Sequence, residues 1–153
     1  MSGKDEIPPE VRPLTFAANE LLLDLIYSAQ SYIKNIDLES LLIVLCVNDA
    51  TMRPFVLDPT LDPVIMRAAH PPEEIRGAIS RRMIADKTGL PRETVRRKTQ
   101  VLAELGYLTI DADDRVRVPM RLGEADAQNP AFEARKAVQR YLERLRAFGV
   151  SER

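Results

Sequence analysis

A glycine and a proline two residues apart, Gly89-Leu90-Pro91, separate two helix-forming runs, and this corner constrains the chain more than any other feature. The first run opens at Ser80, a residue suited to an N-cap because its hydroxyl accepts from an otherwise unpaired amide two or three positions on. It shows a short apolar face, Met83, Ile84 and Ala85, and stops at Gly89. The second run opens beside Pro91, whose missing amide does no harm in a first turn, with Leu90 and Pro91 both open as its capping position. Glu93 stands near the positive end of that helix's dipole. At about 100° per residue, Val95, Thr99, Leu102 and Leu105 fall on one side, and Arg92, Glu93, Arg96, Gln100 and Glu104 on the other, with Arg97 at its edge. One side is expected to pack and the other to meet a partner.

After Gly106, the segments Tyr107 to Ile110 and Arg115 to Val118 alternate as two short strands around an acidic turn, Asp111-Ala112-Asp113-Asp114. Two helices, a tight turn and a hairpin are the order of a winged helix. Between Arg81 and Lys98 the cations Arg81, Arg82, Lys87, Arg92, Arg96, Arg97 and Lys98 outnumber the anions Asp86 and Glu93, 7 − 2 = +5, in a chain of formal net charge −1. The positive charge is therefore local. A basic face at the front of a second helix suits the major groove of DNA, which admits a helix and offers guanine edges to the guanidinium fork. Arg81 and Arg82, at the start of the preceding helix, are expected at phosphates, and Lys98 either reaches out to phosphate or marks a different packing.

The stretch IADKTGLPRETVRRKTQVLAELGYL resembles the helix-turn-helix of winged-helix bacterial transcriptional regulators, especially those with a TVRR recognition helix. The resemblance implies that Arg92, Thr94, Arg96 and Arg97 face bases or phosphates and that Arg115 and Arg117 on the wing approach the backbone. Two departures stand out. Lys98 and Thr99 occupy positions where such families often place an apolar pair, and Asp111, Asp113 and Asp114 at the wing tip would repel phosphate.

The remainder of the 153 residues has an ordinary globular composition, 45% hydrophobic and 29% charged, enough for a sizeable core. No apolar run approaches a membrane span and the first residues do not read as a signal peptide, so a cytoplasmic protein is expected. One cysteine, Cys46, and one histidine, His70, argue for no internal disulfide and no metal cluster. Cys46, in the apolar run 41–47, reads as a buried structural thiol.

Residues 1–13, with three prolines, read as a flexible arm. A helix over 14–36 follows, in which Leu14, Ala18, Leu21, Leu22, Leu25, Ala29, Tyr32 and Ile36 form a stripe that Leu23, Ile26, Tyr27 and Ile33 widen past one face. Such an excess reads as a dimerisation helix. Residues 37–122 are read as the winged-helix domain, opening with a core helix capped by Asp37 and running from Leu38 to about Ala50. A long, proline-rich connector over 51–72 follows, with a helical turn or two from Pro63 to Ala69; it either closes over the core or the dimer contact, or lines an effector pocket. Gly77-Ala78-Ile79 is expected to supply a strand that pairs with the wing. Residues 129–149 form a last helix, with Asn129 and Pro130 opening it, Ala134, Val138, Tyr141, Leu142, Leu145 and Phe148 as its apolar stripe and Gly149 ending it. The arginines on its other face read as solvated.

The expectation is thus a mostly α-helical winged-helix protein, flanked by N- and C-terminal dimerisation helices, that binds double-stranded DNA as a homodimer and regulates transcription. The alternative is a winged-helix interaction or assembly module without DNA binding, since a fold does not dictate a function. No nucleophile-base pair, metal-ligand cluster or Gly-rich phosphate loop argues for an enzyme or a cofactor.

Overall fold

The computed structural model describes residues 6–150, and these divide into two compact units, one built from the two ends of the chain up to Lys34 and from Asp126 onward, the other from Asn35 to Ala125. The second unit is a winged helix, as its chain order shows: α2 (Leu38–Val56), α3 (Pro63–Met66), β1 (Ile79–Ser80), α4 (Arg81–Thr88), α5 (Arg92–Glu104), β2 (Thr109–Ile110) and β3 (Arg115–Arg117). The strands form one antiparallel sheet in the order β1-β3-β2, with Val116 opposite both Ile79 and Ile110. Ile43, Val47, Ile84, Val95, Leu102, Leu108 and Val116 are the apolar side chains most completely withdrawn from solvent, with Ile79 of β1 beside them. They come from α2, β1, α4, α5, β3 and the segment before β2, so one core holds the unit together.

The corner helices start and stop where their end residues direct. Ser80 accepts from the Met83 amide, Gly89 adopts a left-handed φ of 72°, and Pro91 is the N-cap of α5. α2 departs from expectation. Asp37 caps it by accepting from the Ser40 amide, but the helix runs to Val56 with Pro54 inside, so the connector expected over 51–72 begins only after that point. Nor is α2 buried all round, because Leu38, Leu42 and Leu45 on one side are exposed while Leu41, Ile43, Val44, Val47, Thr51 and Phe55 are buried. An apolar run does not reveal which of its residues a helix turns outward.

Pro54 is tolerated because of what packs beside it. Lacking an N–H, it leaves the Ala50 carbonyl without its helical partner, and the backbone of Gly77 lies against that oxygen. The Gly77 amide donates to the Thr51 carbonyl at 2.9 Å, and the Thr51 hydroxyl donates to Val47 O at 2.8 Å while accepting from the Val118 amide at 3.3 Å. Arg76, almost wholly buried, donates to Glu73 at 2.8 Å and to the Val118 carbonyl. One stretch of α2 thus ties down both the entry to β1 and the exit from β3.

Lys98 makes the second long-range anchor. It lies on the inward side of α5 with its ammonium on the carboxylates of Asp37 and Glu39, the latter at 3.3 Å. This pairing joins the middle of α5 to the first turn of α2. The Lys98 ammonium, aided by capping bonds from Ser40, holds the Asp37 carboxyl down at about 2, against an ordinary 3.8. Asp37 in turn raises Lys98.

The unit formed from the chain ends holds α1 (Val11–Tyr32) and α6 (Asn129–Ala147), packed on each other. α1 begins three residues ahead of its expected start, because Pro13 sits within the first turn, where no intrahelical amide bond is lost. Of the arm expected over 1–13, residues 11–13 are helical and residues 1–5 lie outside the described residues. Two of the α6 arginines expected to be solvated instead bridge to α1: Arg144 binds Glu20 through two bonds of 3.0 and 2.8 Å, and Arg140 meets Asp24 at 3.1 Å, while Arg135 and Arg146 stay exposed. Arg144 also lies over the Phe16 ring, 5.7 Å from its centre, and Phe16 meets Phe148 edge to face at 6.2 Å.

Two predictions follow from these anchors. A Cβ at Gly77 would fall 2.0 Å from the Ala50 oxygen and 2.9 Å from Pro54 Cγ. Gly77→Ala is therefore expected to destabilise the protein by about 1–3 kcal/mol in urea unfolding, the usual cost of an overpacked contact. The folded-state value of Asp37 lies below its unfolded one, so its contribution is complete above about pH 4 and disappears as pH falls towards 2. Asp37→Asn, which keeps an acceptor for the cap, is expected to lower stability at neutral pH and to remove that part of the acid dependence. Denaturation midpoints measured between pH 2 and 7 for both proteins check it.

Candidate nucleic-acid interface

Rotation of α5 about its own axis is decided by its inner residues. Val95 and Thr99 are fully buried and Leu102 nearly so, and the Thr99 hydroxyl is satisfied within the helix by the carbonyls of Val95 and Arg96. Leu105, expected with them, is the C-cap residue and stands exposed, since the helix runs out before its side chain reaches the core. With the inner face fixed, Arg92, Glu93, Arg96 and Arg97 are all presented to solvent along the first two turns. Thr94 lies at the flank, half-buried.

The cations of the region divide into three groups. Arg82, Lys87, Arg92 and Arg97 are exposed and have no ion pair among the described residues, though Lys87 lies within electrostatic reach of Asp49 and Cys46 on α2 and Arg97 within that of Glu93. Arg81, Arg96, Arg115 and Arg117 are engaged with acceptors at the same surface. Arg96 pairs with Glu93 at 2.7 Å, Arg81 with Asp114 at 3.3 Å and Arg117 with Asp111 at 2.9 Å, while Arg115 donates to the Ala78 carbonyl at 2.6 Å. Lys98 alone is turned away. The expectation that it belongs with the DNA-facing residues is corrected by its place inside the fold, where an uncompensated ammonium would be costly and Asp37 and Glu39 supply the partners.

The wing tip is less negative to a partner than its sequence indicates. Asp111 accepts from the amides of Asp113 and Arg115 at 3.0 and 2.9 Å and binds Arg117, so its carboxyl is lowered first by the backbone bond from Arg115. Asp114 takes the left-handed conformation at the turn, φ 57°, and meets Arg81 from the start of α4. Two of the three wing-tip carboxylates thus neutralise neighbouring arginines, and Arg81 brings the first turn of α4 up to the wing. Glu93 is lowered by its hydrogen bonds with Arg96, which is raised in return. The Cys46 thiol, half-buried, is pushed up by desolvation, as suits an unreactive structural cysteine.

Sequence reasoning missed three participants. Glu93 was visible only as a dipole partner, and its position three residues before Arg96 was the signal for a direct pairing. Asp37 and Glu39 lie some sixty residues from Lys98, and no local pattern links them.

Among the described residues there is no group of side chains able to hold a metal ion and no helix long and apolar enough to cross a membrane. No characterised relative and no solved structure matches the chain. Residues 73–112, which run from the 3-10 turn before β1 through α4, α5 and β2 to the wing turn, match the IclR helix-turn-helix domain, a DNA-binding module of transcriptional regulators.

Proposed function

We propose that this protein is a sequence-specific, double-stranded DNA-binding transcriptional regulator that acts as a homodimer. The observation that carries the reading is the outward face of α5: its inner side is locked into the core, which leaves Arg92, Arg96 and Arg97 aligned on an exposed first half of a helix within the matched domain. In this reading α5 enters the major groove, Arg92 and Arg97 contact phosphates or base edges, Thr94 lies against the groove wall, and Arg82 meets the backbone from the start of α4. Arg81, Arg115 and Arg117 line the wing side, where their carboxylate and carbonyl partners orient them towards the same duplex. Occupancy of promoter DNA in the cytoplasm then controls transcription.

The dimer is supported by what the helical pair leaves uncovered. Two helices enclose little, and among the described residues of that unit only Ala17, Ile33, Ala127, Ala137 and Leu145 are buried. Phe16, Leu22, Leu23 and Tyr27 of α1 are exposed. Of the charged residues between the helices, Glu20 binds Arg144 and Asp24 meets Arg140. What remains is an apolar face that a second copy would cover as a four-helix bundle, placing two reading helices on a two-part site.

Selection from a random pool of short duplexes, at low and near-physiological salt, tests the function. Enrichment of a two-fold symmetric motif is expected; salt-sensitive retention without a motif would reduce the protein to a non-specific binder, and no retention at either salt would favour an assembly module. Arg96→Ala combined with Arg97→Ala is expected to weaken binding to the selected site at least about tenfold at fixed salt. Light scattering over a concentration series should return twice the 17.3 kDa of the chain. Leu23→Glu with Tyr27→Glu is expected to give the monomer mass and to leave single half-site binding intact.

A further inference from the structure

Glu93 and Arg96 are joined on the outward face of α5 by two parallel hydrogen bonds, Nε to Oε2 at 2.9 Å and Nη2 to Oε1 at 2.7 Å. Both side chains are well exposed, 72% and 60%, so the pair contributes little to the stability of the fold. The helix dipole explains an acid in the first turn, yet it does not require that acid to grip the edge of an arginine one turn on. Nor does phosphate binding, which a carboxylate on this face opposes.

The geometry of the fork gives the pairing a use. A guanidinium has five N–H donors, and Glu93 occupies one from Nε and one from Nη2, which leaves the remaining Nη2 proton and the two on Nη1. The free donors on Nη1 and Nη2 lie side by side at the far end of the side chain, the pattern that the O6 and N7 acceptors of guanine require in the major groove. An arginine held along one edge also has fewer rotamers to give up on binding. Arg92 and Arg97, which have no ion pair among the described residues, lack such a brace and suit phosphates, where direction matters less.

We propose that Arg96 reads one guanine per bound subunit and that Glu93 is the positioning residue that holds its fork towards the base and keeps it from collapsing onto phosphate. The proposal rests on the reading of α5 as the groove helix and adds the base it recognises and the residue that sets the choice.

Selection from a randomised duplex pool, followed by affinity measurements on single-base variants of the selected site, compares the wild type with Glu93→Gln, Arg96→Lys and the double variant. All four should show the same circular-dichroism melting within a few degrees, because neither side chain supports the core. The wild-type motif is expected to hold a guanine in each half whose preference over the other bases falls about tenfold or more in Arg96→Lys. Glu93→Gln should lose a similar part of that preference at the same position only, with affinity for random duplex held or raised. The double variant should lose no more than Arg96→Lys alone, the mark of two residues acting as one unit. If Glu93→Gln raises affinity equally for every sequence and leaves the motif intact, Glu93 only tempers charge and the proposal fails. A wild-type motif without a position that answers to Arg96 also overturns it, with DNA binding left standing. Wild-type protein that retains no duplex removes the DNA reading itself.

Discussion

Burial of the inner side of α5 is the constraint on which the rest of the winged helix depends. Val95, Thr99 and Leu102 are almost completely excluded from solvent, and a helix so seated has one rotational setting, because turning it by a residue would bring Arg96 inward and Val95 out. The outward row of arginines is the geometric complement of that burial. Thr99 fits because its hydroxyl bonds back to the helix, and Lys98 fits because Asp37 and Glu39 meet its ammonium.

The same unit uses backbone chemistry to hold its sheet. Pro54 removes one helical hydrogen bond from α2 and the absent Cβ of Gly77 lets another strand of chain take the vacated space, so two residues that weaken regular structure elsewhere combine to place β1. Thr51 and Arg76 then fasten the far end of β3 through Val118. With β1 and β3 held, Val116 closes the core from the wing side, and the wing turn is carried beside the first turn of α4, where Arg81 and Asp114 meet. Charge on this surface is arranged partly in pairs, with carboxylates directing Arg81, Arg96 and Arg117, and with Arg82, Arg92 and Arg97 in no ion pair among the described residues. That arrangement keeps the positive charge local, in keeping with a chain whose formal net charge is only −1.

Local chemistry made much of this legible. The Ser80 cap, the Gly89 and Gly106 stops, the helical period of α5 and the hairpin around Asp111 to Asp114 all depend on neighbours a few residues apart, and they stand in the structure within a residue or two of where the pattern puts them. The errors have two causes. Pro54 inside α2, Pro13 inside α1, the exposed side of α2 and the inward turn of Lys98 each depend on which distant segment packs alongside, or on where in a turn a residue falls, and neither is carried by composition.

By itself the sequence determined the order of helix, corner, helix and wing, the concentration of positive charge between Arg81 and Lys98, and the excess of apolar surface on α1, because each is a property of spacing along one element. Tertiary structure alone decided which cations face outward and, beyond the local Glu93–Arg96 pair, with which acids they are joined. Asp37 with Lys98, Asp111 and Asp114 with Arg117 and Arg81, and Glu20 with Arg144 are mostly long-range choices made when separate elements close on one core. Charge can be counted along a chain, but its direction is set only when the apolar side of each helix has found its place.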